Sequence, residues 1–278
     1  MFLKLMYITN DLSIALIAQK YGIDRIWIDL ETLGKEARQK GQDSVKSHHK
    51  VSDISKIAPY LETSEMLVRI NPWNANSVYE INSVIKAGAD IIMLPYWKTV
   101  REVELFIKTL NRRCKSMLLL ETKEAEACLD EVLEIEGIDE IHIGLNDLHL
   151  SHNLSFMFEL LMNGTVENLC EKIKFKGLPY GFGGIARLGC GELPAENIIK
   201  EHYRLGSTRA ILSRSFCNVA DYSSLSEIDS LFRKEITKIR EYEALVSKLS
   251  SFDLMDNQLQ VKEIVDKIVK KKTEVIIS

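Results

Sequence analysis

Apolar runs rich in β-branched residues recur along the chain, separated by stretches in which apolar positions return every three or four residues. The first pattern predicts buried parallel strands and the second predicts amphipathic helices. The runs place strands over residues 4–8, 25–30, 66–70, 90–94, 116–120, 140–143, 178–183 and 208–212. Helical spacing falls between them, over residues 11–21, 48–60, 76–87, 99–110, 123–135, 155–174 and 195–205. Asp11 and Thr99 stand where N-caps belong, and Gly22 and Gly88 stand where helices should stop. Eight strands alternating with helices predict a parallel sheet, and eight units at this length favour a closed (β/α)8 TIM barrel. An open doubly wound sheet is the alternative, but no GxGxxG follows the first strand.

From Asp221 onward the pattern changes to SLSEIDSLFRKEITKIREYEALVSKL and then NQLQVKEIVDKIVKKK, both charged, helical and strand-free. The chain therefore divides into a barrel core over residues 1–220 and a C-terminal helical extension over 221–278. The first extension segment suits an eighth barrel helix. The second carries Leu259, Val261, Ile264, Val265 and Ile268 near helical spacing, which docks one face on the same barrel or on a neighbouring subunit.

Composition narrows the functional classes. The 278 residues are 46% hydrophobic and 27% charged, ordinary for a globular chain with a real core. A net charge of −4 gives no reason to expect nucleic acid or an anionic membrane as partner. No apolar stretch reaches the ~18 residues that span a bilayer. The start, MFLKLMYITND, lacks a signal-peptide apolar region with a small-residue cleavage site, so the expected location is cytoplasmic. Cys114, Cys128, Cys170, Cys190 and Cys217 are odd in number and never spaced as CxxC, against both a disulfide framework and a zinc site.

In an α/β barrel the carboxyl-terminal strand ends carry the chemistry. Here those ends read Asp29-Leu30-Glu31-Thr32, Arg69-Ile70-Asn71-Pro72, Pro95-Tyr96, Glu121-Thr122, Gly144-Leu145-Asn146-Asp147 and Gly183-Gly184. Glu121 and Asp147 lie about one strand–helix unit apart, and two such carboxylates can hold a hard divalent cation through oxygen. Each residue also has a plainer reading: Asp147 as a helix cap, Arg69 as the partner of a carboxylate. Glu121 has fewer plain explanations, because a carboxylate is rarely buried unpaired.

The segments DLET at 29–32, LVRINP at 67–72, GADIIMLP at 88–95, LLLETKEA at 118–125 and GIDEIHIGLNDLHLS at 137–151 together resemble the HpcH/HpaI aldolase and citrate lyase family, of the pyruvate/phosphoenolpyruvate barrel superfamily. The resemblance runs from about residue 8 to 216. It implies that Glu121 and Asp147 ligate Mg²⁺ or Mn²⁺ and that a pyruvate-like 2-oxo acid completes the coordination. Arg69 would face the keto oxygen where enolate charge develops, Asp29 and Glu31 would belong to the catalytic group, and Gly144 and Asn146 would supply the loop that receives the substrate carboxylate. Gly184 would line the site with bare backbone. The family's trimers or hexamers imply a homo-oligomer.

The pattern breaks at the proton-transfer residues. Where the aldolase branch has His after the acidic strand-two motif, this chain has Thr32, and where it has Asp after strand three, this chain has Asn76. Threonine is no base near neutral pH. The citrate lyase branch has an acid at the Thr32 position, and Lys35 and Arg38 resemble its loop; Lys35, Arg38 and Lys40 read as solvated charge, with receipt of an anionic substrate group such as phosphate or carboxylate as the alternative. His48 and His49 read as a surface pair at a helix start, with a substitute base as the alternative. Arg187 could reach an acidic substrate or pair with Glu192, His142 reads as a packed histidine, and Trp73 and Trp97 as cleft walls or core. The first reading is therefore a metal-dependent carbon–carbon lyase or aldolase acting on a small 2-oxo acid or its hydroxy adduct. The alternatives are a citrate-lyase-like enzyme cleaving an acyl thioester of coenzyme A, and a catalytically impaired protein that binds a 2-oxo acid.

Overall fold

The computed structural model describes residues 2–34 and 48–277. Eight strands form at the expected places: β1 Lys4–Ile8, β2 Arg25–Asp29, β3 Glu65–Arg69, β4 Ile91–Leu94, β5 Lys115–Leu120, β6 Glu140–Ile143, β7 Tyr180–Ile185 and β8 Arg209–Leu212. They are ordered β1 to β8 in a closed parallel barrel, the (β/α)8 fold that the alternation predicts. The helices are α1 Leu12–Lys20, α2 Val51–Ile57, α3 Ser77–Ala87, α4 Val100–Leu110, α5 Lys123–Ala127, α6 Leu129–Val132, α7 Leu145–Ser151, α8 Glu159–Met162, α9 Thr165–Phe175, α10 Ala195–Leu205, α11 Leu225–Val246 and α12 Ser251–Ile277.

Three helical expectations change. The single helix expected over 123–135 divides at Cys128, whose φ of −103° and ψ of 12° leave the helical region. The one expected over 155–174 is interrupted ahead of α9 by Gly164, which has a φ of +83°. Helix α7 starts one residue after β6, where the sequence reads as a strand-end loop.

The chain comprises two compact units, Met6–His142 and the combination of Met1–Leu5 with Ile143–Ser278. Within the first, strand starts follow a repeated G-x-D pattern: Gly22-Ile23-Asp24 before β2, Gly88-Ala89-Asp90 before β4 and Gly137-Ile138-Asp139 before β6. Each glycine has positive φ, which an L side chain resists. At Gly88 a Cβ would also lie 2.9 Å from the Ala58 Cβ. The aspartate then staples the neighbouring strand: Asp90 accepts the Met66 N–H at 2.7 Å and Asp139 accepts the Ser116 N–H at 2.7 Å. Near these strand starts, Arg25 is buried in a bidentate pair with Glu140 at 2.9 and 2.7 Å. A cavity of about 810 Å³ lies here too, lined by Ser64, Glu65, Asp90, Lys115 and Asp139, at the strand starts rather than the strand ends. Its carboxylates are already used as staples, which makes this end structural.

In the second unit, α12 packs on α10. Its apolar Val261 and Val265 are buried, and one polar cluster sets its register. The buried Asn257 accepts from Asn197 Nδ2 at 2.8 Å and donates to the Asn197 carbonyl at 3.1 Å and to Glu201 Oε1 at 2.8 Å. A buried polar group is tolerated only where its partners are fixed, so this docking is specific.

Candidate active site

Register builds the centre of the site. Asp29, the last residue of β2, pairs directly across the sheet from Arg69, the last residue of β3. The Arg69 Nε donates to Asp29 Oδ1 at 2.9 Å and its Nη2 to Asp29 Oδ2 at 2.9 Å, a bidentate fork. Arg69 Nη1 lies 3.3 Å from Glu31 Oε2, and the guanidinium sits 5.1 Å from the centroid of the Trp27 ring. Asp29 and Glu31 are 2% and 3% exposed, so neither carboxylate is solvated in the usual way. Burial alone would lower the Arg69 pKa, but the Asp29, Glu31 and Glu121 carboxylates outweigh it and hold the guanidinium charged well above its ordinary value.

Glu121, buried one residue beyond β5, is aimed by the backbone of the neighbouring strand: the Tyr96 N–H donates to Glu121 Oε1 at 2.9 Å. Tyr96 has a φ of 49°, a conformation that costs a non-glycine residue about 1–2 kcal/mol. Thr122 turns its hydroxyl to the Trp97 carbonyl at 3.0 Å and caps α5, which fixes the chain on the far side of Glu121. Trp97 is thereby core, while Trp73 is half-buried.

Asn71 organises the turn after β2. Its Oδ1 accepts from the Thr32 N–H at 2.9 Å, the Leu33 N–H at 3.0 Å and the Thr32 hydroxyl at 3.3 Å. Its Nδ2 donates to Glu80 Oε1 at 2.8 Å. Burial raises the Glu80 pKa, partly offset by these Asn71 contacts. Thr32 is exposed and committed to Asn71, and Asn76 is exposed at the start of α3. Neither offers a base.

The histidine pair divides. His48 is exposed, as a surface residue should be. His49 is half-buried, and its Nδ1 accepts the Asp29 N–H at 3.0 Å, so it is part of the strand-end structure. The basic residues Lys35, Arg38 and Lys40 lie outside the described residues.

In the second unit, Gly144 is the N-cap of α7, Asn146 is exposed and Asp147 is half-buried in the first turn. His149 is buried against the Leu145 carbonyl at 3.2 Å, and burial lowers its pKa. His142 is buried, as its strand alternation predicts. Gly184 leaves room where a Cβ would stand 3.3 Å from the Ile211 carbonyl, beside a register shift between β7 and β8. Arg187 donates to the Ser215 carbonyl at 3.3 Å, and Glu192 pairs with Lys272 at 3.2 Å.

These features define a class: a TIM barrel with acidic residues and one arginine gathered at the carboxyl-terminal strand ends of Met6–His142. The family model for HpcH/HpaI aldolase/citrate lyase matches residues 4–155, more than half of the chain, and the chain belongs to that family of aldolases and lyases. Among solved structures, the HpcH/HpaI aldolase from Desulfitobacterium hafniense DCB-2 is similar at 13% identity and a TM-score of 0.59, over 86% of this chain and 93% of that one. An HpcH/HpaI aldolase/citrate lyase family protein from Burkholderia cenocepacia J2315 is similar at 13% identity and a TM-score of 0.60, over 82% and 95%. The citrate synthase SbnG is similar at 16% identity and a TM-score of 0.57, over 76% and 86%. At these identities the likeness speaks for the fold alone. Among curated proteins, none matches the chain in sequence. No helix among the described residues is long and apolar enough to cross a membrane.

Proposed function

We propose that the chain is a divalent-metal-dependent carbon–carbon lyase or aldolase that binds a small 2-oxo acid and stabilises its enolate. The observation that carries this reading is the cluster of acidic side chains at the strand ends. Three buried carboxylates, Asp29, Glu31 and Glu121, act on the guanidinium of Arg69. Carboxylate oxygens gathered in a buried site are the donors that a hard divalent cation takes.

The family pattern names Glu121 and Asp147 as the residues that would hold Mg²⁺ or Mn²⁺, and both offer the oxygen donors that hard cations prefer. Among the described residues, no group of three or more His, Cys, Asp or Glu side chains that could hold a metal ion is found. A bound ion would polarise the 2-oxo oxygen as a Lewis acid.

The remaining work falls to the chain. Arg69 has five N–H groups, of which Nε and one on Nη2 are taken by Asp29. Nη1 also faces Glu31 at 3.3 Å, and the N–H groups left on Nη1 and Nη2 can stabilise the oxygen on which enolate charge develops, with Asp29 and Glu31 holding the guanidinium in place. Gly144, Asn146 and Gly184 would receive the substrate carboxylate with backbone and bare surface. Loss of a proton from the carbon next to the 2-oxo group gives the enolate. Thr32 is no base near neutral pH, and water would take that proton.

The test is exchange of the pyruvate methyl protons in D₂O, followed by proton NMR with Mg²⁺ or Mn²⁺ present. Exchange should require metal and disappear in Glu121→Gln. Undiminished exchange after exhaustive chelation would overturn the reading. Tight oxalate binding without exchange would favour the binding-only alternative, which Thr32 supports, and citramalyl- and malyl-coenzyme A screen for acyl-thioester cleavage. We also propose a homo-oligomer, a trimer or hexamer. Its support is the apolar row Phe252, Met255 and Leu259 on α12, which are 80%, 61% and 63% exposed.

A further inference from the structure

We propose that His49 is a positioning residue of this site, clamping the backbone of Asp29 and through Asp29 fixing the guanidinium of Arg69. Its part in turnover rests on the function proposed above; the clamp itself does not. Asp29 is the hub. Its carboxylate is spent on the Arg69 fork and on the Glu31 N–H, which Oδ1 accepts at 3.2 Å. Its own N–H, at the end of β2, goes to His49 Nδ1 at 3.0 Å. The imidazole thus holds the same residue that holds the arginine.

The ring arrives on an anchored segment. One residue further on, the Lys50 N–H donates to Asp53 Oδ2 at 2.8 Å, and Asn10 Nδ2 donates to the same oxygen at 3.3 Å. Asp53 is buried in the first turn of α2, so His49 is tied to the fold from its C-terminal side. His48 next to it is exposed, which makes it a matched control.

A peptide N–H can only donate, so the accepting Nδ1 carries no proton and the neutral ring has its proton on Nε2. A proton on Nδ1 would set two N–H groups against each other, and the clamp would open. Among the described residues, the peptide that it holds carries Asp29, which pairs with Arg69 beside Glu31, and the segment that follows it carries Lys50, Asp53 and Lys56. Asparagine places an oxygen, Oδ1, at the same branch point as Nδ1 and does not titrate. It should therefore rescue what alanine loses.

The experiment uses the full chain as wild type, His49→Ala, His49→Asn and His48→Ala. Long-range proton–nitrogen NMR of the imidazoles should show His49 with its proton on Nε2. The Arg69 Nε–H signal should be sharp in wild type, His49→Asn and His48→Ala, and broadened or lost in His49→Ala. Metal-dependent pyruvate exchange should fall about 10²-fold in His49→Ala, the scale of a misplaced catalytic group, and recover in His49→Asn. Toward acid, the wild-type rate should drop more steeply than that of His49→Asn. A proton on Nδ1, an unchanged Arg69 signal in His49→Ala, or an asparagine variant no better than alanine would each overturn the clamp. A wild type that neither binds oxalate nor exchanges pyruvate would overturn the proposed function, while the NMR arms still decide the clamp.

Discussion

Replacing Arg69 with methionine removes a guanidinium from a cluster of buried carboxylates and keeps most of its volume. Its ion contacts to Asp29 and Glu31 are 2.9 and 3.3 Å long. At an effective dielectric constant of about 20, each is worth about 5 kcal/mol of gross attraction. Burying the guanidinium costs several kcal/mol against that total, and removing one partner of a buried pair typically destabilises by about 3–5 kcal/mol. For a chain of this size each kcal/mol shifts the melting temperature by about 2–4 °C, so Arg69→Met should melt roughly 6–20 °C below wild type at pH 7. The loss, read by calorimetry, should shrink in a triple variant that adds Asp29→Asn and Glu31→Gln. A loss that is the same in the triple variant would mean that the defect is one of packing, and would refute the electrostatic reasoning.

Two further outcomes follow. Burial works against ionised Asp53, but the Lys50 N–H, Asn10 and Lys56 outweigh it and hold its pKa below the ordinary value of 3.8. A depressed carboxylate contributes stability that is present above its unfolded pKa and lost as pH falls through its folded one. Asp53→Asn should therefore cost about 1 kcal/mol at pH 7 and little in acid below 3.8, read by calorimetry across that range; an equal loss at both ends would refute the assignment. On the surface, Phe252→Glu with Leu259→Glu should lower the particle mass measured by light scattering, and a monomeric wild type or an unmoved mass would remove the oligomer proposal.

The barrel was legible because its physics is periodic. Buried parallel strands are short continuous apolar runs, and all eight stand within about two residues of where those runs predict. The strand-end list was legible for the same reason: once the runs are placed, Asp29, Arg69 and Glu121 fall at their ends. What the pattern could not show is what each end residue touches. Asp29 meets Arg69 because β2 and β3 share a register, which no local signal in either strand encodes. His49 stands 20 residues from Asp29, and nothing in HHK distinguishes an exposed histidine from one that holds a peptide N–H. Tyr96 occupies a positive-φ position that sequence normally gives to glycine or asparagine, so its role in aiming Glu121 carried no turn signal. The G-x-D repeat before β2, β4 and β6 was available in the sequence and marks the structural end of the strands, opposite the chemistry.

The central claim is that Glu121 and Asp147 hold a divalent ion against a 2-oxo acid beside Arg69. A crystal structure with Mn²⁺ and oxalate tests it most directly. The account predicts an anomalous peak within bonding distance of carboxylate oxygens of both residues, with oxalate completing the coordination and an oxygen facing the Arg69 guanidinium. A peak bound elsewhere, or oxalate bound away from Arg69, would contradict it.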